Sequence, residues 1–118
     1  SASVLDGIEK ALLNFAVDAS SGNARACLGI HAVTEFGTTA TDVAAVTADV
    51  TARTLLAFES RIRDGIARGE LAESLDPTEA AQFLLATLSG LKVAARGGAS
   101  RQVLEGIVRV ALRGLASR

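Results

Sequence analysis

The chain has no tryptophan, tyrosine or methionine, and one proline, one cysteine and one histidine among its 118 residues. Each shortage excludes something. A single cysteine cannot close an internal disulfide, so the fold rests on packing, which fits a reducing compartment and gives the expectation of a cytoplasmic protein. A single proline leaves long stretches free to run as uninterrupted helix. Four phenylalanines are the whole aromatic complement, so the base-stacking side chains common in nucleic-acid binders are scarce. The 12 basic and 13 acidic residues give a formal charge of −1. No Lys/Arg cluster goes beyond the spaced Arg61, Arg63 and Arg68, and without a basic footprint the chain is not expected to touch DNA itself. One histidine, no G-x-S-x-G, no phosphate-cradling glycine loop and no paired carboxylates on an apolar face leave no constellation for catalysis, so no enzyme and no cofactor are expected. No apolar run approaches the ~20 residues of a membrane helix. A basic segment followed by a short apolar one, the mark of a secretory signal, is also absent.

What is present is apolar and helix-forming. Hydrophobic residues make up 49% of the chain and the mean hydropathy is +0.35, more than one ordinary core absorbs, so the excess must go into core, pocket or interface. The abundance of Ala, Leu, Arg and Glu with one proline predicts a single all-α domain over residues 1–118, a bundle of about five helices. The first helix is expected from about Val4 to Asp18, capped by Ser3 and Asp6, with Leu5, Ile8, Leu12 and Phe15 on one face. A loop over residues 19–23 leads to a short helix from about Ala24 to Glu35. The third helix is long, from about Asp42 to Arg68, with Val43, Val46, Val50, Leu55, Phe58, Ile62 and Ile66 inward. Glu59 with Arg63 and Asp64 with Arg68 are i,i+4 pairs on its wet side.

The most informative stretch runs from Asp76 to Ala111. Asp76 before Pro77, with Glu79 at the third helical position, marks a helix start by capping side chain, pre-set φ and carboxylate. Two apolar stripes follow at helical spacing: Leu84, Leu88, Leu91 and Ala95, and beside them Phe83, Thr87, Gly90 and Ala94. Gly97 and Gly98 stop the helix, Ser100 caps the next, and the pattern repeats with Leu104, Val108, Ala111 and Leu115 on one side and Val103, Ile107, Val110 and Gly114 on the other. Two neighbouring helices, each apolar on two sides, predict a hairpin that packs on its own domain and on a second copy, giving a four-helix bundle across a homodimer. The interface is assigned to Phe83, Thr87, Gly90 and Ala94 with Val103, Ile107 and Val110, although the pattern alone does not say which of the two stripes faces the partner.

Cys27, His31 and Glu35 follow one another at four-residue steps along the short helix. A thiolate, an imidazole and a carboxylate in a row suit a metal or a thiol sensor. Against this, no second cysteine or histidine exists to complete a tetrahedral site, and a buried cysteine is usually an inert small hydrophobe. No metal is therefore assigned. Phe15, Phe36, Phe58 and Phe83 fall one to each helical region and each fills core by its area. Alternatively, members of this set with Leu55, Ile62, Leu85, Cys27 and His31 line a cavity between helices that takes a small apolar or aromatic effector.

The run D-P-T-E-A-A-Q-F-L-L-A-T-L-S-G-L-K-V-A-A-R-G-G-A-S resembles the last two helices of the TetR/AcrR family of bacterial transcriptional repressors. R-A-C-L-G-I-H-A-V-T-E-F is similar to the short helix after the first long helix of that family's effector domain, and R-D-G-I-A-R-G-E-L to the end of its long middle helix. The resemblance implies a ligand-binding and dimerisation domain, with homodimerisation through the final helix pair. It also implies that a ligand entering between the first, third and fourth helices tilts the first helix and so relieves DNA binding by an N-terminal helix-turn-helix. No segment here corresponds to that helix-turn-helix, so the chain is expected to be a regulatory half whose contact with DNA runs only through the absent part. The family often has cysteine at the position of Cys27 and a small polar residue at that of His31, which singles out His31 as particular to this protein. Two other readings stand beside this one: a ligand-free helical dimerisation or interaction module, and a thiol or metal sensor through Cys27 and His31.

Overall fold

Side-chain caps and glycine stops set the helix ends. The computed structural model describes residues 3–20 and 40–116. Within them lie four helices: α1 (Val4–Ser20), α2 (Ala40–Ala67), α3 (Pro77–Arg96) and α4 (Arg101–Arg113). The fold is all-α. Among the described residues the one β feature is an isolated bridge between Leu71 and Ala116. The expected short helix with Cys27, His31, Glu35 and Phe36 lies outside the described residues.

Ser3 Oγ accepts from the Asp6 amide at 3.0 Å. Asp76 Oδ1 accepts from the amides of Thr78 and Glu79 at 2.9 and 3.1 Å, and Ser100 Oγ from that of Val103 at 3.2 Å. Each cap satisfies donors that the first helical turn leaves without an internal partner. At the other ends, α2 and α3 close in the same way. Gly98 has φ +95°, Ala99 N donates to Ala94 O at 3.0 Å and Gly98 N to Ala95 O at 3.1 Å. Gly69 at φ +76° does the same for α2, with Glu70 N on Gly65 O and Gly69 N on Ile66 O. This paired 6→1 and 5→2 closure needs a left-handed residue, which glycine adopts without a Cβ clash.

α1 and α3 form the central pair. Each packs on the other and on both α2 and α4, whereas α2 and α4 do not meet. Val4, Ile8, Leu12 and Ala16 of α1 are buried against Phe58 and Ile62 of α2, Leu84, Leu88, Leu91 and Ala95 of α3, and Leu104, Val108 and Leu112 of α4. No polar or charged side chain is buried among the described residues, so this core is held by apolar burial alone. Two longer ties fix the start of α1 and the tail. The Val4 amide donates to Glu70 Oε1 at 2.8 Å, bringing a carboxylate to the positive end of α1. The Ala72 amide donates to Leu115 O at 3.1 Å.

Several sequence expectations need correction. Val46 and Val50 do not face inward: they are 54% and 55% exposed. At 28 residues α2 outruns the 17 of α1, and its early turns carry these valines past the core of the described residues. Phe15 is 52% exposed rather than part of the Ile8–Leu12 face; that face continues through Ala16, which places Phe15 at its flank. The ion pairs Glu59–Arg63 (2.8 Å) and Asp64–Arg68 (3.6 Å) form as expected, and at such exposure each contributes only tenths of a kcal/mol.

Gly65 marks the tightest approach. A Cβ there would lie 2.7 Å from both Cγ and Cδ1 of Leu71 and 3.2 Å from Cγ1 of Val4, two side chains that are themselves buried. Gly65→Ala gains helix propensity of about 1 kcal/mol but overpacks this contact at a cost of about 1–3 kcal/mol, so a net loss of up to about 2 kcal/mol is expected in chemical denaturation. A variant as stable as the parent would show that Leu71 swings aside freely.

Candidate ligand cleft and dimer face

α1 and α2 do not close along their whole length. Between them lies a cleft of about 340 Å³ lined by Gly7, Ile8, Ala11 and Phe15 of α1 and by Arg53, Thr54, Ala57, Phe58 and Arg61 of α2. The spacing puts each set on one face of its helix. Gly7, Ala11 and Ala57 are too short to fill the gap, and Ile8 and Phe58, both largely buried, form its floor. Thr54 Oγ1 donates to Val50 O at 2.8 Å, so its hydroxyl proton is used within the helix. Lys92 Nζ stands 5.9 Å from the centre of the exposed Phe15 ring, within cation–π range.

Of the residues assigned to ligand binding from the sequence, the structure brings Phe15 and Phe58 together in this cleft. Ile62 is a core residue, fully buried, and does not line it; it lies a helical turn beyond Phe58 on the face turned to α3 and α1. Leu55 packs against the core, and Leu85 is partly buried on α3, away from the lining. Cys27 and His31 lie outside the described residues. Sequence reasoning passed over Gly7, Ala11, Thr54, Ala57 and the two arginines, because small and charged residues score low in a search for apolar lining. The signal available was the facing register of small residues on two adjacent helices.

The cleft's charges are unevenly paired. Arg53 bonds to Asp49 one turn earlier. That hydrogen bond, and then the charge of Asp49, hold the Arg53 guanidinium above its ordinary pKa. Among the described residues Arg61 has no ion pair and no acidic side chain lines the cleft.

A second surface lies on α3 and α4. Leu84, Leu88, Leu91 and Ala95 are buried in the protomer's own core, as are Leu104, Val108 and Ala111. The neighbouring stripe is left outside: Phe83 is 45% exposed, Val103 53%, Ile107 40% and Val110 68%, and Val93 beside them 70%. Gly90 is exposed, and beyond the local backbone of its own helix no described atom lies within 4 Å of its Cβ position. Thr87 and Ala94 are partly buried between the two stripes. Thr87 Oγ1 donates back to Phe83 O at 2.9 Å, so its hydroxyl proton is used within the helix.

A family model described as the tetracyclin repressor-like C-terminal domain matches residues 7–111. The chain belongs to that family. The match begins within α1, takes in both walls of the cleft and ends at the buried Ala111 of α4. Comparison with curated proteins and with solved structures gives no match. Tetracyclin repressor-like C-terminal domains belong to transcription regulators. No described helix is long and apolar enough to cross a membrane.

Proposed function

We propose that this C-terminal domain senses a small apolar or aromatic molecule and pairs two copies of a regulator whose DNA-binding part is a separate helix-turn-helix. The observation that carries the reading is the division of labour on α3 and α4: one stripe of each helix fills the protomer core while the other leaves Phe83 of α3 and Val103, Ile107 and Val110 of α4 exposed. Contiguous patches of this kind on a helical hairpin mark an interface, and a self-complementary one closes as a two-fold dimer. The cleft supplies the second half of the reading. α1 forms one wall of it and also packs on the hairpin helices, so a ligand that changes the α1–α2 spacing moves α1 against the pair that sets the dimer. Coupling of ligand to DNA affinity then requires the ligand to bind one α1 position more tightly than another.

Native mass spectrometry tests the assembly directly. The expected species is a dimer of the 12.1 kDa chain with copurified organic mass, and a monomer at micromolar concentration would overturn the pairing. In a regulator carrying the DNA-binding part, a ligand bound in the cleft that leaves operator affinity unchanged would overturn the induction step.

A further inference from the structure

The cleft holds a more specific instruction about its ligand than apolarity. Ile8, Ala11, Ala57 and Phe58 give it apolar walls, and among the described lining residues the charged ones are both arginines and none is a carboxylate. Arg53 is compensated by Asp49. Arg61 is not compensated among the described residues. Its Nη1 lies 3.7 Å from where a Cβ at Gly7 would stand, so the guanidinium reaches across from α2 to the α1 wall and sits at the mouth of an apolar slot. Lys92, over Phe15, adds positive charge at the Phe15 end.

We infer that the effector is a small aromatic or apolar monoanion, its apolar body between α1 and α2 and its carboxylate on Arg61. The inference rests on the proposed sensing role of this cleft. A planar guanidinium takes a carboxylate through two parallel N–H···O bonds, which gives orientation as well as affinity. The same contact explains how a ligand would draw the two helices together: the apolar part touches both walls, and the anion holds a side chain rooted on α2 against α1. A cleft of about 340 Å³ is at the small end of ligand pockets, which favours a single-ring acid over a large polycyclic one.

Cinnamate and cinnamamide separate the terms, because they match in shape and differ in charge. In titrations of the full chain followed by amide NMR, both are expected to shift the amides of Gly7, Ala11 and Ala57, with cinnamate binding about tenfold more tightly. Arg61→Gln is expected to erase that preference while leaving cinnamamide affinity unchanged, and Arg63→Gln, on the outer face of α2, to leave both as they were. Arg61 is exposed, so its replacement does not threaten folding. Equal binding of acid and amide to the parent, or a preference that survives Arg61→Gln, overturns the anion assignment and leaves the cleft as a ligand site. If neither compound moves the cleft amides, the sensing role of the cleft itself is overturned.

Discussion

Leu84→Ala is expected to lower the free energy of unfolding by about 2–5 kcal/mol, the range for truncating a fully buried leucine in a core that cannot collapse around the gap. Leu84 has no exposed surface and sits in the central α1–α3 layer with Ile8, Leu12 and Leu91. The next residue provides the contrast. Phe83 is 45% exposed, and Phe83→Ala is expected to change protomer stability by no more than about 0.5 kcal/mol, as for an ordinary surface substitution. Its effect should instead appear in the concentration dependence of unfolding, because a residue that acts between copies stabilises by mass action. Denaturation over a hundredfold range of protein concentration, about 2.7 kcal/mol in the mass-action term, distinguishes the two. Equal, concentration-independent losses would mean that both stripes belong to one core. Retention of full stability by Leu84→Ala would contradict the packing described for α3.

How much of this was legible in the sequence depends on how local each feature is. The start of α3 at Asp76 and Pro77, its stop at Gly97 and Gly98, and the Ser100 cap are decided within one turn of chain, and each stands where the residues placed it. The two stripes of α3 were also visible, but not their division. Leucines at 84, 88 and 91 and a Phe–Thr–Gly–Ala series beside them both satisfy helical spacing, and only contact with α1 shows that the leucine stripe is turned inward. For α2 the same periodicity misled: Val46 and Val50 keep the rhythm of Phe58 and Ile62 but stand exposed, since periodicity records a face and not how far the neighbouring helix extends. The ties of Glu70 to Val4 and of Leu71 to Ala116 join residues far apart in the chain, where pattern reading has no purchase. The cleft was the least legible feature. Its shape comes from absent side chains at Gly7, Ala11 and Ala57 as much as from Phe15 and Phe58, and a gap between two helices is a property of their pairing.

Gly90→Arg is expected to convert a dimer into a folded monomer. A glycine in the middle of a helix costs about 1 kcal/mol relative to alanine, and among the described residues nothing offsets that cost at position 90: beyond the local backbone of its own helix no atom lies within 4 Å of the missing Cβ, and the residue is exposed between Phe83 and Val93. A gain that the protomer does not show is expected at a close helix crossing, where the missing side chain lets a partner helix approach. An arginine there would have to bury an unpaired charge or hold the helices apart, so the dissociation constant should rise at least about a hundredfold, or 2.7 kcal/mol. Because arginine is a good helix former, the helical signal of the monomer should match or exceed that of the parent. Sedimentation velocity with circular dichroism on the same sample reads both quantities. Gly90→Ala sharpens the test: it should stabilise α3 within a protomer while weakening the pair, two effects of opposite sign that no purely structural role for Gly90 would produce. An undiminished dimer in Gly90→Arg would remove this face from the interface. The Leu84 stripe, already committed to the core, could not replace it, and the pairing surface would have to be sought elsewhere, first among the exposed Val46, Val50 and Leu56 of α2.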